Sequence, residues 1–180
     1  MTIILSFTTM KKDISWEKIK PETKAVWAGE TEPFPYNSTQ APTISSVAFN
    51  YKNMSEWLDV AKGTKKGHIY GRNTNPTVEF LEKKIALLEK AESAVAFSSG
   101  MAAISNTLFA LLKPKDRVIV GRDTYGGTSK IFMEYLPKFG IDVQFCDTTN
   151  TDIFKTEIKK KCDLLYLETP TNPTLKIQDI

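Results

Sequence analysis

AVAFSSGMAAISNTLFALLKPKDRVIV, residues 94–120, holds the pattern that decides the fold. Ala94-Val95-Ala96-Phe97 is a short apolar run that reads as a buried strand. Gly100 to Leu112 is a longer stretch of small and apolar residues that reads as a helix. Lys113-Pro114-Lys115-Asp116 marks a turn, and Arg117-Val118-Ile119-Val120 reads as the next strand. A strand, a covering helix and a second strand in this spacing form a βαβ unit, which implies parallel pairing.

The pattern continues downstream. Thr128 to Phe139 reads as a helix shortened by Pro137, and Ile141-Asp142-Val143-Gln144-Phe145 as a third strand. Residues 151–161 read as a helix and Asp163-Leu164-Leu165-Tyr166-Leu167 as a fourth strand. Upstream, Asn75-Pro76 is a helix start, with Asn as cap and Pro at the first helical position. Val78, Leu81, Ile85 and Leu88 then recur at helical spacing, with Glu82, Lys83 and Lys84 on the other side. The fold class is therefore α/β, a mostly parallel sheet with flanking helices. Residues 76–180 carry that pattern. Residues 1–75 do not: Pro33, Pro35 and Pro42 exclude long helices there. Trp16, Trp27, Phe34, Phe49 and Trp57 make the segment too apolar for a free linker. The expectation is an extended arm packed on the rest of the chain or on a neighbouring subunit.

Composition narrows the function classes. The chain has 180 residues, 41% of them hydrophobic and 25% charged, with a net charge of +3. That balance gives no reason to invoke nucleic acid. Lys159-Lys160-Lys161 lies between Glu157 and Asp163 and reads as a solvated helix end. Cys146 and Cys162 read as free thiols, which fits a reducing cytoplasm. No segment reaches the ~18 apolar residues of a membrane span. Met1 to Met10 lacks a basic n-region and is followed by Lys11-Lys12-Asp13, so no signal peptide is expected. A single histidine, His68, disfavours a multi-histidine metal site and a Ser-His-Asp triad.

Ligands of open parallel sheets collect at the carboxyl ends of the strands. Ser98-Ser99-Gly100-Met101 follows one strand and opens a helix. Its free N–H groups make either a phosphate cradle or a plain tight turn. Asp123-Thr124-Tyr125-Gly126-Gly127-Thr128 follows another, so Tyr125 either lies over a flat ligand or fills the core. Glu168-Thr169-Pro170-Thr171-Asn172-Pro173-Thr174 is stiffened by two prolines. Asn172 there either donates to a ring oxygen or completes a rigid turn. Upstream, Tyr70-Gly71-Arg72 offers a hydroxyl and a guanidinium fork suited to phosphate, or a surface arginine.

Taken in this order, the blocks resemble the Cys/Met-metabolism family of pyridoxal-phosphate (PLP) enzymes, which includes cystathionine gamma-synthase, cystathionine lyases, methionine gamma-lyase and O-acetylhomoserine sulfhydrylases. The similarity runs from about Thr23 to the last residue. It includes Thr23-Lys24-Ala25-Val26-Trp27-Ala28-Gly29, where the family usually has His in place of Trp27, and Pro42, Ser46 and Phe49 of the arm. It continues through Tyr70 to Thr77, Ser98 to Ala103, Asp123 to Thr128 and Glu168 to Thr174. The resemblance implies a fold of the aspartate-aminotransferase type (fold type I), PLP as cofactor and an amino-acid substrate. It also implies a homo-oligomer, a dimer of dimers in the full-length form, with no nucleic-acid or membrane partner.

The resemblance assigns roles as well. Ser99, Gly100 and Met101 would hold the phosphate. Tyr125 would stack on the ring and assist proton transfer. Asn172 would contact the ring oxygen, with Glu168 in support. Tyr70 and Arg72 would bind the phosphate of the neighbour's cofactor. Gly126-Gly127 favours the cystathionine gamma-synthase and gamma-lyase types, because methionine gamma-lyase tends to carry Cys at the second position. In the family, the lysine that bonds the cofactor and the Asp at the ring nitrogen lie beyond the block that ends this chain. Lys176 and Asp179 are too close to Asn172 to serve, and Lys176 reads as a solvent-facing residue at a strand entry. The chain is thus expected to be an N-terminal fragment, inactive alone. The competing expectation is a non-catalytic remnant of the same fold that binds a partner chain.

Overall fold

The computed structural model describes residues 15–30 and 34–178. The expectations for Met1 to Asp13, Pro33 and Asp179 lie outside these residues. The chain divides into two compact units, Met1–Ala96 and Phe97–Ile180.

In the first unit the helices before residue 76 are short, as the prolines require. They are α1 (Pro21–Trp27) and α2 (Met54–Ala61), with single 3-10 turns at Trp16–Lys18 and Pro35–Asn37. Asn53 caps α2 by accepting from the Glu56 N–H. Helix α3 (Pro76–Glu89) begins at Asn75, whose Oδ1 accepts from Thr77 N–H. The extended arm packs on its own unit: Ala48 bridges Tyr70 antiparallel, and Asn75 Nδ2 donates to Ile44 O.

Helix α3 does not bury the stripe expected of it. Val78, Leu81 and Ile85 are exposed, while Ala86 is buried. The opposite side packs on α1 instead. A Cβ on Gly29, at φ +80°, would lie 3.0 Å from Phe80 O and 3.1 Å from Lys83 Cβ. Only glycine permits that approach with that backbone. Phe34 meets Phe80 edge-on at 5.3 Å, and Lys84 Nζ donates to Val26 O and Glu30, each at 2.9 Å. Aliphatic spacing alone misses Phe80, whose ring docks the helix.

The second unit holds α4 (Gly100–Leu111), β1 (Arg117–Gly121), α5 (Gly126–Lys130), β2 (Asp142–Cys146), α6 (Thr151–Ile158) and β3 (Leu164–Tyr166). The sheet order is β2-β1-β3, parallel throughout, with Val118 opposite both Val143 and Leu164. Central β1 is covered on both faces, and Val118, Ile119 and Val120 are fully buried. Leu108, Phe132, Leu136 and Ile141 pack with Val118 and Val120, whereas Cys146 and Phe154 pack with Ile119.

Three sequence expectations are corrected here. Residues 94–97 form no strand, and Val95 stays exposed. The Ala96 N–H donates to Glu82 Oε1 at 2.8 Å instead of to a neighbouring strand. The 128–139 helix is composite: α5 passes into a π-turn at Ile131–Tyr135 and a 3-10 turn at Leu136–Phe139, because Pro137 offers no N–H. The last helix ends at Ile158, and beyond it Lys160 pairs with Glu157 and Lys161 with Asp163. Among the described residues no helix is long and apolar enough to cross a membrane.

Arg117 ties the sheet's entry edge together. Its N–H donates to Asp163, and its guanidinium reaches Glu157 at 2.9 Å, Lys161 O at 2.9 Å and Asp142 at 3.4 Å. The Arg117 N–H and Lys161 hold Asp163 below its ordinary 3.8, and Lys160 and Arg117 hold Glu157 below 4.5. Lowered folded values stabilise the fold above the ordinary carboxylate range, and that contribution is lost as pH falls from there through the lowered values. Asp163→Asn is therefore expected to flatten the acid limb of a melting-temperature profile while leaving the neutral limb parallel. Phe132→Ala, at a fully buried site, should cost about 3–5 kcal/mol in denaturant unfolding.

Candidate functional site

The site is built on the rim where β1 and β3 end. Parallel pairing sends both strands out of the same edge. After β1 the chain turns through Asp123 to Thr128 into α5, and after β3 it enters the loop from Glu168 to Lys176. Glu168 joins the two. Its carboxylate oxygens both accept the Tyr125 N–H at 3.2 Å, and Oε1 also accepts the Asn172 N–H at 3.3 Å. One side chain therefore fixes the backbone of both candidate ligand residues, whose own side chains stay exposed.

Gly127 is the second junction. A Cβ there would lie 2.9 Å from Tyr125 Cε1 and 3.1 Å from Met101 Sδ. The Thr128 hydroxyl, fully buried, donates to Met101 Sδ at 3.8 Å. The start of α4 thus meets the Tyr125 turn. At that helix start Ser99 Oγ accepts the Ala102 N–H and Ser99 O accepts the Ala103 N–H. Gly100 and Met101 N–H have no acceptor among the described residues, and a Cβ on Gly100 would meet nothing within 4 Å. Two aligned amides at the positive end of a 12-residue helix face open space. This is the geometry of an anion cradle.

The loop after β3 is closed from within. Thr171 is 1% exposed; its N–H donates to Lys176 O, and its hydroxyl accepts from Lys176 N–H at 2.9 Å. Thr169-Pro170 and Asn172-Pro173 are both cis. Burial raises the Tyr166 phenol above its ordinary value, and the charge of Glu168 adds to that rise. The sequence reading did not single out Thr128, Tyr166 or Thr171. A Thr sealed at 0–1% exposure has no sequence signature distinct from a surface Thr. Lys176, expected to face solvent before a strand, is exposed but ion-paired with Asp123, and no described strand begins there.

Tyr70 and Arg72 lie in the first unit. The Arg72 guanidinium sits 4.8 Å over the Tyr70 ring, and the Gly71 N–H donates to Val47 O at 2.7 Å. His68 is held between Thr74 Oγ1 at 3.0 Å and Glu79 at 3.3 Å. The described residues hold no cluster of three or more metal-ligating side chains.

A parallel βαβ sheet whose carboxyl rim carries unbonded helix-start amides, an exposed aromatic and a loop amide belongs, like the solved structures it superposes on, to the fold type I class of PLP-dependent enzymes. The sequence model of the Cys/Met metabolism PLP-dependent enzymes matches residues 22–180, and the chain belongs to that family. L-methionine gamma-lyase of Fusobacterium nucleatum subsp. polymorphum is 41% identical over 158 residues, 88% of this chain and 40% of the relative. Cystathionine gamma-lyase of Mus musculus is 36% identical over 176 residues, 95% of this chain and 42% of the relative. The structure assigned as an O-acetylhomoserine (thiol)-lyase (metY) of Campylobacter jejuni superposes with a TM-score of 0.80 at 27% identity. It covers 89% of this chain and 39% of the neighbour, and it carries N'-pyridoxyl-lysine-5'-monophosphate. The chain spans about 40% of the length of the curated relatives it matches. The family depends on PLP, and these residues fit it: unbonded amides for a phosphate, a ring for a ring and an amide for an oxygen.

Gly127→Ala would place a carbon closer to Tyr125 and Met101 than packed atoms come. The ring must then move. Both neighbours are side-chain ends that can give, so affinity for pyridoxal 5'-phosphate should fall about threefold, ~0.7 kcal/mol. A fluorescence titration measures it, alongside an unchanged circular-dichroism spectrum.

Proposed function

We propose that the chain is the N-terminal part of a PLP-dependent enzyme acting at the β- or γ-carbon of homoserine- or cysteine-derived amino acids. In this reading residues 76–180 belong to the cofactor domain and residues 1–75 are its arm. The observation that carries it is the Glu168 carboxylate, which holds Tyr125 and Asn172 on one rim. Gly100 and Met101 N–H bind the phosphate, with Ser99 capping the helix that aims them. The exposed Tyr125 ring covers the cofactor and passes a proton at its phenol oxygen. The Asn172 amide donates to the ring hydroxyl oxygen, and Tyr70 and Arg72 serve the phosphate of a neighbouring subunit in a homo-oligomer. The cofactor supplies the electron sink for bond cleavage next to the amino-acid α-carbon.

Among family activities we favour the cystathionine gamma-synthase or gamma-lyase type, on the close packing of Tyr125 and Met101 around Gly127. The 41% identity to a methionine gamma-lyase supports the second reading. Free Cys146 and Cys162 are in keeping with the cytoplasm as the compartment.

The test is a titration with pyridoxal 5'-phosphate followed by visible absorbance and induced circular dichroism. Tyr125→Ala and Asn172→Ala should each weaken binding about threefold to tenfold, the range of one stacking contact or one hydrogen bond. Supplied with the remaining segment of a relative, the protein should consume cystathionine faster than methionine. The reverse preference would establish the second reading, and absence of any spectral change would remove the cofactor site.

A further inference from the structure

We propose that Lys176 and Asp123 are positioning residues: their ion pair is a second tether that, with Glu168, sets where the Tyr125 ring stands. The inference rests on the cofactor-site reading and adds to it a pair that none of the roles above uses.

The argument is one of degrees of freedom. Glu168 ties the Asp123–Thr128 turn to the loop after β3 at one point, the Tyr125 N–H. Toward α5 the turn is held as well, by Ser129 N–H on Tyr125 O at 2.9 Å and by Ser129 Oγ on Thr124 O at 3.3 Å, but Glu168 alone leaves it free to tilt against the loop. Gly126, directly after Tyr125, has no neighbour within 4 Å of where a Cβ would be. The packing of Gly127 on Met101 and the buried Thr128 begin only beyond it. A second attachment on the other side of Tyr125 removes the motion, and Asp123 lies two residues before it. The Lys176 ammonium ion-pairs with Asp123 Oδ2.

That attachment is anchored at its far end. Lys176 N–H and O are both bonded to Thr171, which is 1% exposed. The ammonium therefore projects from a fixed backbone rather than from a free loop. Asp123 holds Lys176 above its ordinary 10.5, so the ammonium stays charged through neutral pH. Arg122 and Asp147 are the other charges near it, of opposite sign to each other. The two tethers are also chemically distinct: Glu168 grips main chain, and Lys176 grips a side chain.

Side chains of the pair are 46% and 33% exposed, so the link adds little to global stability. Its effect is local, and this separates positioning from a merely structural role. Amide hydrogen exchange in the full 180-residue chain reads it directly. Lys176→Met should speed exchange of the Tyr125 N–H about threefold and leave Val120, in the sheet core, unchanged. Asp123→Asn should do the same, and the double variant should go no further. Lys176→Arg should restore protection. Raising salt should speed the wild-type Tyr125 amide toward the variant rate and leave Lys176→Met unmoved.

Equal exchange of Tyr125 in wild type and both single variants would overturn the proposal, as would Tyr125 and Val120 accelerating together. Pyridoxal 5'-phosphate affinity, measured on the same samples, should fall about threefold in Lys176→Met and recover in Lys176→Arg. Faster exchange with unchanged affinity would overturn the positioning role. Faster exchange in a chain with no affinity even as wild type would sink the cofactor-site reading and leave the tether standing.

Discussion

Parallel pairing of β1 with both neighbours is the constraint on which the rest of the second unit depends. A parallel strand cannot return by a tight hairpin, so each crossover must pass over a face of the sheet. The crossover between β1 and β2 covers one face with Phe132 and Leu136, and α6 brings Phe154 to the other. With both faces sealed, the middle of β1 is three fully buried β-branched residues. Every strand then releases its chain at one edge. The loops after β1 and β3 become neighbours there although they are some forty residues apart, as the Tyr125–Glu168 bonds record.

That rim relies on the main chain. The amides of Gly100 and Met101 face outward at the start of α4, while those of Tyr125 and Asn172 turn inward to Glu168. Backbone groups keep their position as long as the elements carrying them do, so the placement of these amides is as rigid as α4 itself. Side chains enter where the chemistry needs a ring or a hydroxyl. A carboxylate suits the hub because its two oxygens can accept several N–H donors at once, and charge strengthens each bond.

The strand–helix alternation after residue 100 was legible because its periodicity reflects burial on each element separately. The motif order was legible because each block has a distinct local geometry to satisfy: a cap at Ser99, a glycine at Gly127, a closed loop around Thr171. Residues 94–97 misled for a related reason. An apolar run of four says that a segment could pair, and pairing depends on a partner outside the window. Helix α3 misled because counting aliphatic residues ranks Leu81 and Ile85 above Phe80, yet Gly29, just past the end of α1, decides which face docks. The Lys176–Asp123 contact could not be read at all. Residues 53 positions apart become neighbours only through the sheet register.

The same physics explains why the family is easier to read than the reaction. Holding PLP demands several fixed features at once, and together they leave a long ordered trace in sequence. Choosing between substrates that differ by a methylene or a sulfur demands far less, since such differences amount to about 1–3 kcal/mol in a packed pocket. One carbon can supply that. Gly127 shows the scale: the space between the Tyr125 ring and Met101 Sδ is already too small for a single Cβ. A position of this kind tilts the ring by its volume alone, without a charge or a hydrogen bond to mark it. A steric margin of a few tenths of an ångström at Gly127 is thus of the size that such a choice requires, and it leaves no motif in the sequence.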